Sequence, residues 1–166
     1  MNIRIAEERD LESIIQIYNQ AVAAGYQTAD TEPITTEDRK EWYINHTPDK
    51  YPLFVAEYEK KIVGWLSISA YRLGRQALQY TAEVSYYIDF DYQRMGVGSR
   101  LLKEAINLCP SLKIKTMFAI LIESNLGSIK LLKNHGFEKW GYMPKVADFG
   151  GIEVGHLYYG LRIKKR

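Results

Sequence analysis

Apolar and polar positions change period several times along the chain, and each change marks a structural element. Residues 2–6 alternate, which predicts a short first strand. Leu11, Ile14, Ile15, Tyr18 and Val22 then share one helical face that runs out near Gly25. Residues 26–34 follow neither period. Their aromatic, hydroxyl and acidic side chains leave two readings open, a plain surface loop or a segment facing a substrate. Thr35 or Thr36 is placed to cap a second helix carrying Trp42 and Tyr43, and Pro48 and Pro52 mark where helix can no longer continue. Residues 53–58 and 62–69 are β-rich runs parted by Glu59-Lys60-Lys61, the pattern of a hairpin.

In the second half the periods switch at two glycines. Val84, Tyr86 and Ile88 alternate with Ser85 and Tyr87, as a half-buried strand requires, and after Gly96 and Gly98 the residues Val97, Leu101, Ala105 and Leu108 recur at helical spacing. Pro110 stops that helix. Residues 116–122 form an almost continuous apolar run, read as a strand buried on both faces. Ser124 or Asn125 can cap a further helix with Leu126, Ile129, Leu131 and Leu132, and Gly136 ends it. Residues 137–146 and 152–163, separated by Asp148-Phe149-Gly150-Gly151, read as a last antiparallel pair. The order is β-α-α-β-β-β-α-β-α-β-β. Its two consecutive β-α-β connections demand locally parallel strands, so the expected fold is α/β with a mixed, mostly antiparallel sheet. With 166 residues, 46% of them hydrophobic, the chain accommodates one core, and 1–166 reads as a single domain.

Charge and cysteine usage exclude several classes of function. A net charge of +2 offers no basic stripe for nucleic acid, and the terminal Lys164-Lys165-Arg166 reads as a solvated tail. No apolar run approaches the roughly 20 residues of a transmembrane helix. The first residues, with Arg4, Glu7, Glu8, Arg9 and Asp10, lack the apolar centre of a signal peptide. A cytoplasmic protein without a membrane partner is expected. Cys109 has no second cysteine to pair with and reads as a packing residue, and with His46, His135 and His156 scattered, no metal site is expected.

The glycine-spaced helix entry brings in chemistry. The first amides of a helix have no partners within it and carry the positive end of its dipole, and glycines at 96 and 98 let a ligand approach the backbone without meeting a Cβ. A phosphate-bearing ligand is the natural guest. Between the third and fourth strands lies a basic connection, Tyr71-Arg72-Leu73-Gly74-Arg75-Gln76. Arg72 and Arg75 are candidates for holding a substrate carboxylate or phosphinate by bidentate hydrogen bonds, or are simply solvated arginines of a surface hairpin.

Gln93-Arg94-Met95-Gly96-Val97-Gly98, placed between the fourth strand and its helix, resembles the pyrophosphate loop of the GNAT acyl-CoA-dependent N-acetyltransferases. Ser124-Asn125-x-x-Ser128 and the downstream Gly136-Phe137 fall where that superfamily commonly has Asn-x-x-Ser and Gly-Phe, so the likeness spans nearly the whole chain. Within it, Ile17-Tyr18-Asn19-Gln20-Ala21-Val22, Thr31-Glu32-Pro33, Glu41-Trp42-Tyr43, Tyr51-Pro52-Leu53-Phe54-Val55-Ala56 and residues 81–88 look like the phosphinothricin and methionine-sulfoximine N-acetyltransferase group. The resemblance implies a sheet splayed between strands 4 and 5 and acetyl-CoA as cosubstrate. It also implies a small amino-acid-like amine as acceptor and a homodimer.

On that reading the amides from Arg94 through Met95, Gly96, Val97 and Gly98 to Ser99 cradle the pyrophosphate. The backbone of Tyr86, Tyr87 and Ile88 pairs with the pantetheine arm and can donate to the thioester oxygen, while Asn125 and Ser128 reach the arm from across the splay. Asn125 can equally be a helix cap, and both roles are compatible. The attacking amine has to lose a proton. Glu83 is the candidate base, or a binder of the ammonium ion, because period 2 puts it on the same face as Ser85 and Tyr87. Where many relatives carry Tyr or His as proton donor to the leaving thiolate, this chain has Leu131-Leu132, which leaves unassisted departure, water, or another group such as Tyr87 or one of the many other tyrosines. Acetylation of a protein, peptide or polyamine amine on the same scaffold is an alternative, as is a catalytically silent acyl-CoA-binding module.

Overall fold

The structure, a computed structural model, describes residues 1–164, so Lys165 and Arg166 of the basic tail lie outside the described residues. Chain order runs β1 (Asn2–Ile5), α1 (Leu11–Ala24), α2 (Thr36–Ile44), β2 (Leu53–Tyr58), β3 (Lys61–Ala70) and β4 (Thr81–Ile88). It continues with α3 (Val97–Leu108), β5 (Thr116–Ile122), α4 (Leu126–Asn134), β6 (Glu138–Asp148) and β7 (Glu153–Arg162). The helices end where the sequence provides punctuation. Thr35 caps α2 by accepting from the Asp38 amide, with the Asp38 carboxylate returning the bond to the Thr35 amide, a closed capping box. Gly25 closes α1 at φ +70°, and the Asn125 side chain caps α4.

The strands form one seven-stranded sheet in the order β1-β2-β3-β4-β5-β7-β6. All neighbours are antiparallel except β4 and β5. That parallel pair holds for only three positions, Thr81 with Thr116, Ala82 with Met117 and Glu83 with Phe118. Beyond them β4 stays with β3 as far as Ile88 opposite Gly64, while β5 stays with β7 as far as Ile122 opposite His156. The sheet is therefore splayed between strands 4 and 5, as the resemblance implies. The second β-α-β connection has a different outcome from the first, because β7 inserts between β5 and β6.

Two apolar cores sit on opposite faces. Leu66, Ile68, Val84, Leu101, Leu102, Met117 and Leu132 build the larger one beneath α3 and α4, where Cys109 is fully buried. Ile14, Ile17, Val55 and Trp65 build the smaller one beneath α1. β5 departs from the expectation of burial on both faces. Phe118 and Ile120 are only half-buried, because their side of the sheet carries no helix past the end of α1's coverage. On β7 Tyr159 is core and Tyr158 half-buried, while Trp140 and Tyr142 on β6 are exposed and lie across Gly160 and Gly155 of β7.

The start of α3 is held close to the sheet by Gly64. A Cβ there would stand 2.9 Å from Ile88 Cδ1, 3.0 Å from Val97 Cγ1 and 3.2 Å from the Tyr87 carbonyl oxygen. Gly64→Val is expected to destabilise the fold by about 1–3 kcal/mol through overpacking, read as a lower midpoint in urea unfolding.

Candidate active site

Cross-strand pairing between β3 and β4 lays out a floor of three residue pairs, Trp65 with Tyr87, Ser67 with Ser85 and Ser69 with Glu83. All six side chains line a cavity of about 190 Å³ on the α1 and α2 side of the sheet. Ile14, Ile15 and Tyr18 of α1 wall it, together with Ile34 and with Arg39 and Trp42 of α2. The loop 26–34 is tied to α1 and gives one residue, Ile34, to the cavity wall. The Asn19 side chain bonds both backbone groups of Ile34, at 2.8 and 3.0 Å, and the Tyr18 hydroxyl meets Thr28 at 2.7 Å and donates to Asp30 at 2.5 Å.

Glu83 is the only carboxylate lining this cavity and Arg39 the only guanidinium. Among the described residues no cation forms an ion pair with Glu83. Burial pushes its carboxyl above the ordinary value, since nothing nearby compensates the desolvated charge. Arg39 lies 3.5 Å from Asp30, with its guanidinium carbon 5.6 Å from the Tyr18 ring centre and 5.8 Å from that of Trp42. Ser69, opposite Glu83, is held by His46. The Nδ1 of His46 faces the Trp42 carbonyl at 2.7 Å and Nε2 lies 3.0 Å from Ser69 Oγ. A carbonyl only accepts, so Nδ1 carries the hydrogen and the serine hydroxyl donates to Nε2. Burial lowers the His46 pKa, which favours this neutral form.

The splay forms a second, narrower cavity of about 50 Å³ between residues 84–87 of β4 and 119–121 of β5. Asn125, Ser128 and Leu132 of α4 and Gln27 of the loop complete it. Ser85 and Tyr87 line both cavities, so the two meet at β4. Asn125 Oδ1 accepts from the Ser128 amide at 3.1 Å. Its oxygen is thus spent on the cap, and what it has left for a ligand is its NH2. Beside the splay, Arg94 and Gly96 adopt left-handed backbone, φ +63° and +81°, and turn the chain into α3. Arg94 and Met95 are exposed and Val97 and Gly98 are buried. Ser99 Oγ meets His135 Nε2 at 2.8 Å, which ties the start of α3 to the end of α4. A Cβ on Gly98 would stand 2.9 Å from Leu131 Cδ2, so glycine lets the two helices close together.

The fold therefore brings Glu83 into one cavity, Tyr86, Tyr87, Asn125 and Ser128 into the other, and the 94–99 turn alongside. It does not bring in Arg72 and Arg75. These lie on the exposed connection after β3, with Arg72 over the Tyr71 ring, and neither lines either of these two cavities. Sequence reasoning missed Arg39. The available signal was its i,i+3 spacing to Trp42, which puts both on one face of α2. No group of residues suited to a metal ion occurs among the described residues, and no helix there is long and apolar enough to cross a membrane.

A mixed sheet parted after its fourth strand, with a glycine turn beside the gap, is the fold of the acyl-CoA transferases that the sequence resembles. Residues 11–137 match the model of the Acetyltransferase (GNAT) family, and the chain belongs to that family. It is 45% identical to YwnH of Bacillus subtilis over 152 residues, 91% of this chain and 92% of that protein. It is 30% identical to the L-methionine sulfoximine/L-methionine sulfone acetyltransferase of Salmonella typhimurium, over 93% of this chain and 88% of that protein. The crystal structure of a GNAT superfamily phosphinothricin acetyltransferase from Sinorhizobium meliloti in complex with AcCoA superposes with a TM-score of 0.91 at 28% identity. That match covers 98% of this chain and 88% of that one.

The environment of Glu83 has a measurable consequence for stability. Its pKa is higher folded than unfolded, so its burial costs nothing where both states are protonated, and stability is lost as pH rises from the unfolded pKa through the folded one. Glu83→Gln is expected to melt above the wild type at pH 7, by roughly 2–4 °C for each kcal/mol the buried charge costs. Near pH 3.5 the two melting temperatures are expected to coincide, which differential scanning calorimetry checks.

Proposed function

We propose that the chain is an acetyl-CoA-dependent N-acetyltransferase that moves the acetyl group directly to the amine of a small amino acid or amino-acid analogue of the phosphinothricin or methionine-sulfoximine type. The observation that carries this reading is the charge pattern of the larger cavity. One guanidinium and one carboxylate face a space of about 190 Å³, a size suited to a single small zwitterion. The substrate carboxylate pairs with Arg39 and its ammonium group turns toward Glu83. Arg72 and Arg75, exposed beyond the Ser69–Glu83 end of the floor, contribute long-range attraction for an acidic substrate.

Acetyl-CoA enters through the splay. The amides of the 94–99 turn, at the positive end of α3, suit its pyrophosphate. The unpaired edge of residues 84–88 offers backbone groups to its amide-rich arm, in the manner of an added strand, and Asn125 and Ser128 face that arm from α4. The arm points at Ser85 and Tyr87, where the two cavities meet, so the thioester and the amine arrive from opposite faces of one strand. Glu83 accepts the ammonium proton. Its raised pKa makes it a better base than a solvent-exposed carboxylate, and no counter-ion holds it back. The Tyr87 backbone amide stabilises the charge that develops on the thioester oxygen.

We further assign the enzyme to the cytoplasm, in keeping with a lone, buried, unpaired Cys109, and to a homodimer. The dimer reading rests on β6, an edge strand that exposes Trp140, Tyr142, Met143 and Val146 together. Light scattering is expected to give twice the chain mass of 19.2 kDa, and a single-chain value would remove the dimer.

Thiol release from acetyl-CoA, measured over a panel of L-amino acids and their phosphinic and sulfoximine analogues, tests the activity. Turnover is expected on one or more of them, and Glu83→Gln is expected to lower kcat by about 100-fold or more. Arg39→Gln is expected to raise KM for the amino acid by roughly 10–100-fold, the worth of one charge-assisted contact, and to leave KM for the matching decarboxylated amine unchanged. Tight acetyl-CoA binding without turnover on any amine would replace the enzyme with a binding module.

A further inference from the structure

The departing thiolate is a base held in a narrow slot, and the reaction needs a proton there that Glu83, on the other face of β4, is not placed to give. Leu131 and Leu132 of α4 carry none; Leu132 lines the splay and is fully buried. The only acidic protons lining the splay belong to Tyr86 and Tyr87. Tyr87 turns to the amine side, where its ring packs 4.8 Å from that of Tyr18 and 4.9 Å from that of Trp65. Tyr86 turns the other way, toward α4. Its hydroxyl oxygen is the one buried side-chain polar atom without a hydrogen bond of full geometry among the described residues, and the Ser128 side chain of α4 faces it and favours its ionised form. A buried hydroxyl without a full hydrogen bond costs stability, and a chain that keeps one beside the splay keeps a proton donor free for the group formed there.

We infer that the Tyr86 hydroxyl is the proton donor to the departing thiolate. This rests on the acetyl-transfer reading above and extends it. The nitrogen lone pair forms the C–N bond, and the C–S bond breaks with its electron pair on sulfur. The phenolic proton moves to that sulfur. The nitrogen gives up two protons, the ammonium proton before attack and a second once the C–N bond has formed; both pass through Glu83 to solvent, and the Tyr86 phenolate regains one from solvent after CoA leaves. Nucleophile and leaving group diverge from one carbon, and Glu83 and Tyr86 diverge likewise from one strand, at odd and even positions. Burial pushes the Tyr86 phenol up to about 12, so it is fully protonated at neutral pH. Burial opposes a thiolate in the same way, as the Cys109 thiol, also pushed up to about 12, illustrates. Donor and acceptor are therefore not mismatched, as a phenol and a thiolate would be in water.

Tyr86→Phe tests the assignment by three readouts. The unliganded variant is expected to melt at or above the wild-type temperature, because a buried hydroxyl without a full hydrogen bond is removed while the ring stays. Calorimetry is expected to give an acetyl-CoA Kd within about two-fold of wild type, since a neutral thioester needs no proton donor. At pH 7 kcat is expected to fall by about 100-fold with KM for the amine unchanged. Unchanged kcat overturns the inference. So does a loss confined to acetyl-CoA affinity, which makes Tyr86 a holder of the arm, and so does a lower melting temperature, which makes the hydroxyl structural. Wild-type protein that turns over no amine removes the acetyl-transfer reading itself, whereas active wild type with an equally active Tyr86→Phe removes this inference alone.

Discussion

Everything functional in this protein depends on two strands that pair for three residues and then part. β4 and β5 share hydrogen bonds only from Thr81 to Glu83 and from Thr116 to Phe118, after which each remains fixed to its other neighbour. A parallel ladder broken in the middle of a sheet leaves backbone donors and acceptors facing a gap, which is costly unless water or a ligand satisfies them. The gap is anchored rather than loose. β3 holds β4, β7 holds β5, and the hydrogen bond from Ser99 to His135 ties together the two helices that flank it. An extended, amide-rich arm suits such a gap better than a globular ligand does.

Placing the opening beside β4 gives that strand three jobs at once. Its backbone edge faces the slot, its odd-numbered side chains face the amine cavity, and its even-numbered side chains face α3 and α4. Glu83 sits at the last paired position, where the strand is still rigid and the splay begins. The strict alternation of a β-strand thus puts the Glu83 carboxylate and the Tyr86 hydroxyl on opposite sides of one strand without any additional element. Polar support is sparse and specific: His46 orients Ser69, Asn19 fixes Ile34, and Tyr18 fixes Thr28 and Asp30. The bonds from Asn19 and Tyr18 tie to α1 a loop that has neither helical nor strand period.

The elements of the fold were legible because each rests on local chemistry. The Thr35 cap, the glycine turn at 96–98, the apolar face of α3 and the stop at Gly136 all appear where the sequence places them. The placement of the candidate site residues was legible only where it follows from strand period or a glycine turn, as for Glu83 on its cavity face and the 94–99 turn into α3. Arg39 escaped because α2 buries no residue completely and in the sequence its arginine looks like any solvated charge until the sheet beneath it is known. Arg72 and Arg75 suggested themselves by charge alone, and their connection turns out to run along the exterior.

By itself, then, the sequence determined the order of elements, the two faces of each strand and the glycine turn into α3, because periodicity and turn residues act over a few positions. Tertiary structure alone decided that β7 inserts beside β5, that β5 is half-open on one face, and that Arg39 and Glu83 share one cavity. It alone left the Tyr86 hydroxyl buried without a hydrogen bond of full geometry. These facts depend on contacts between residues tens of positions apart, whose pairing is fixed by packing of the whole sheet and is written in no local pattern.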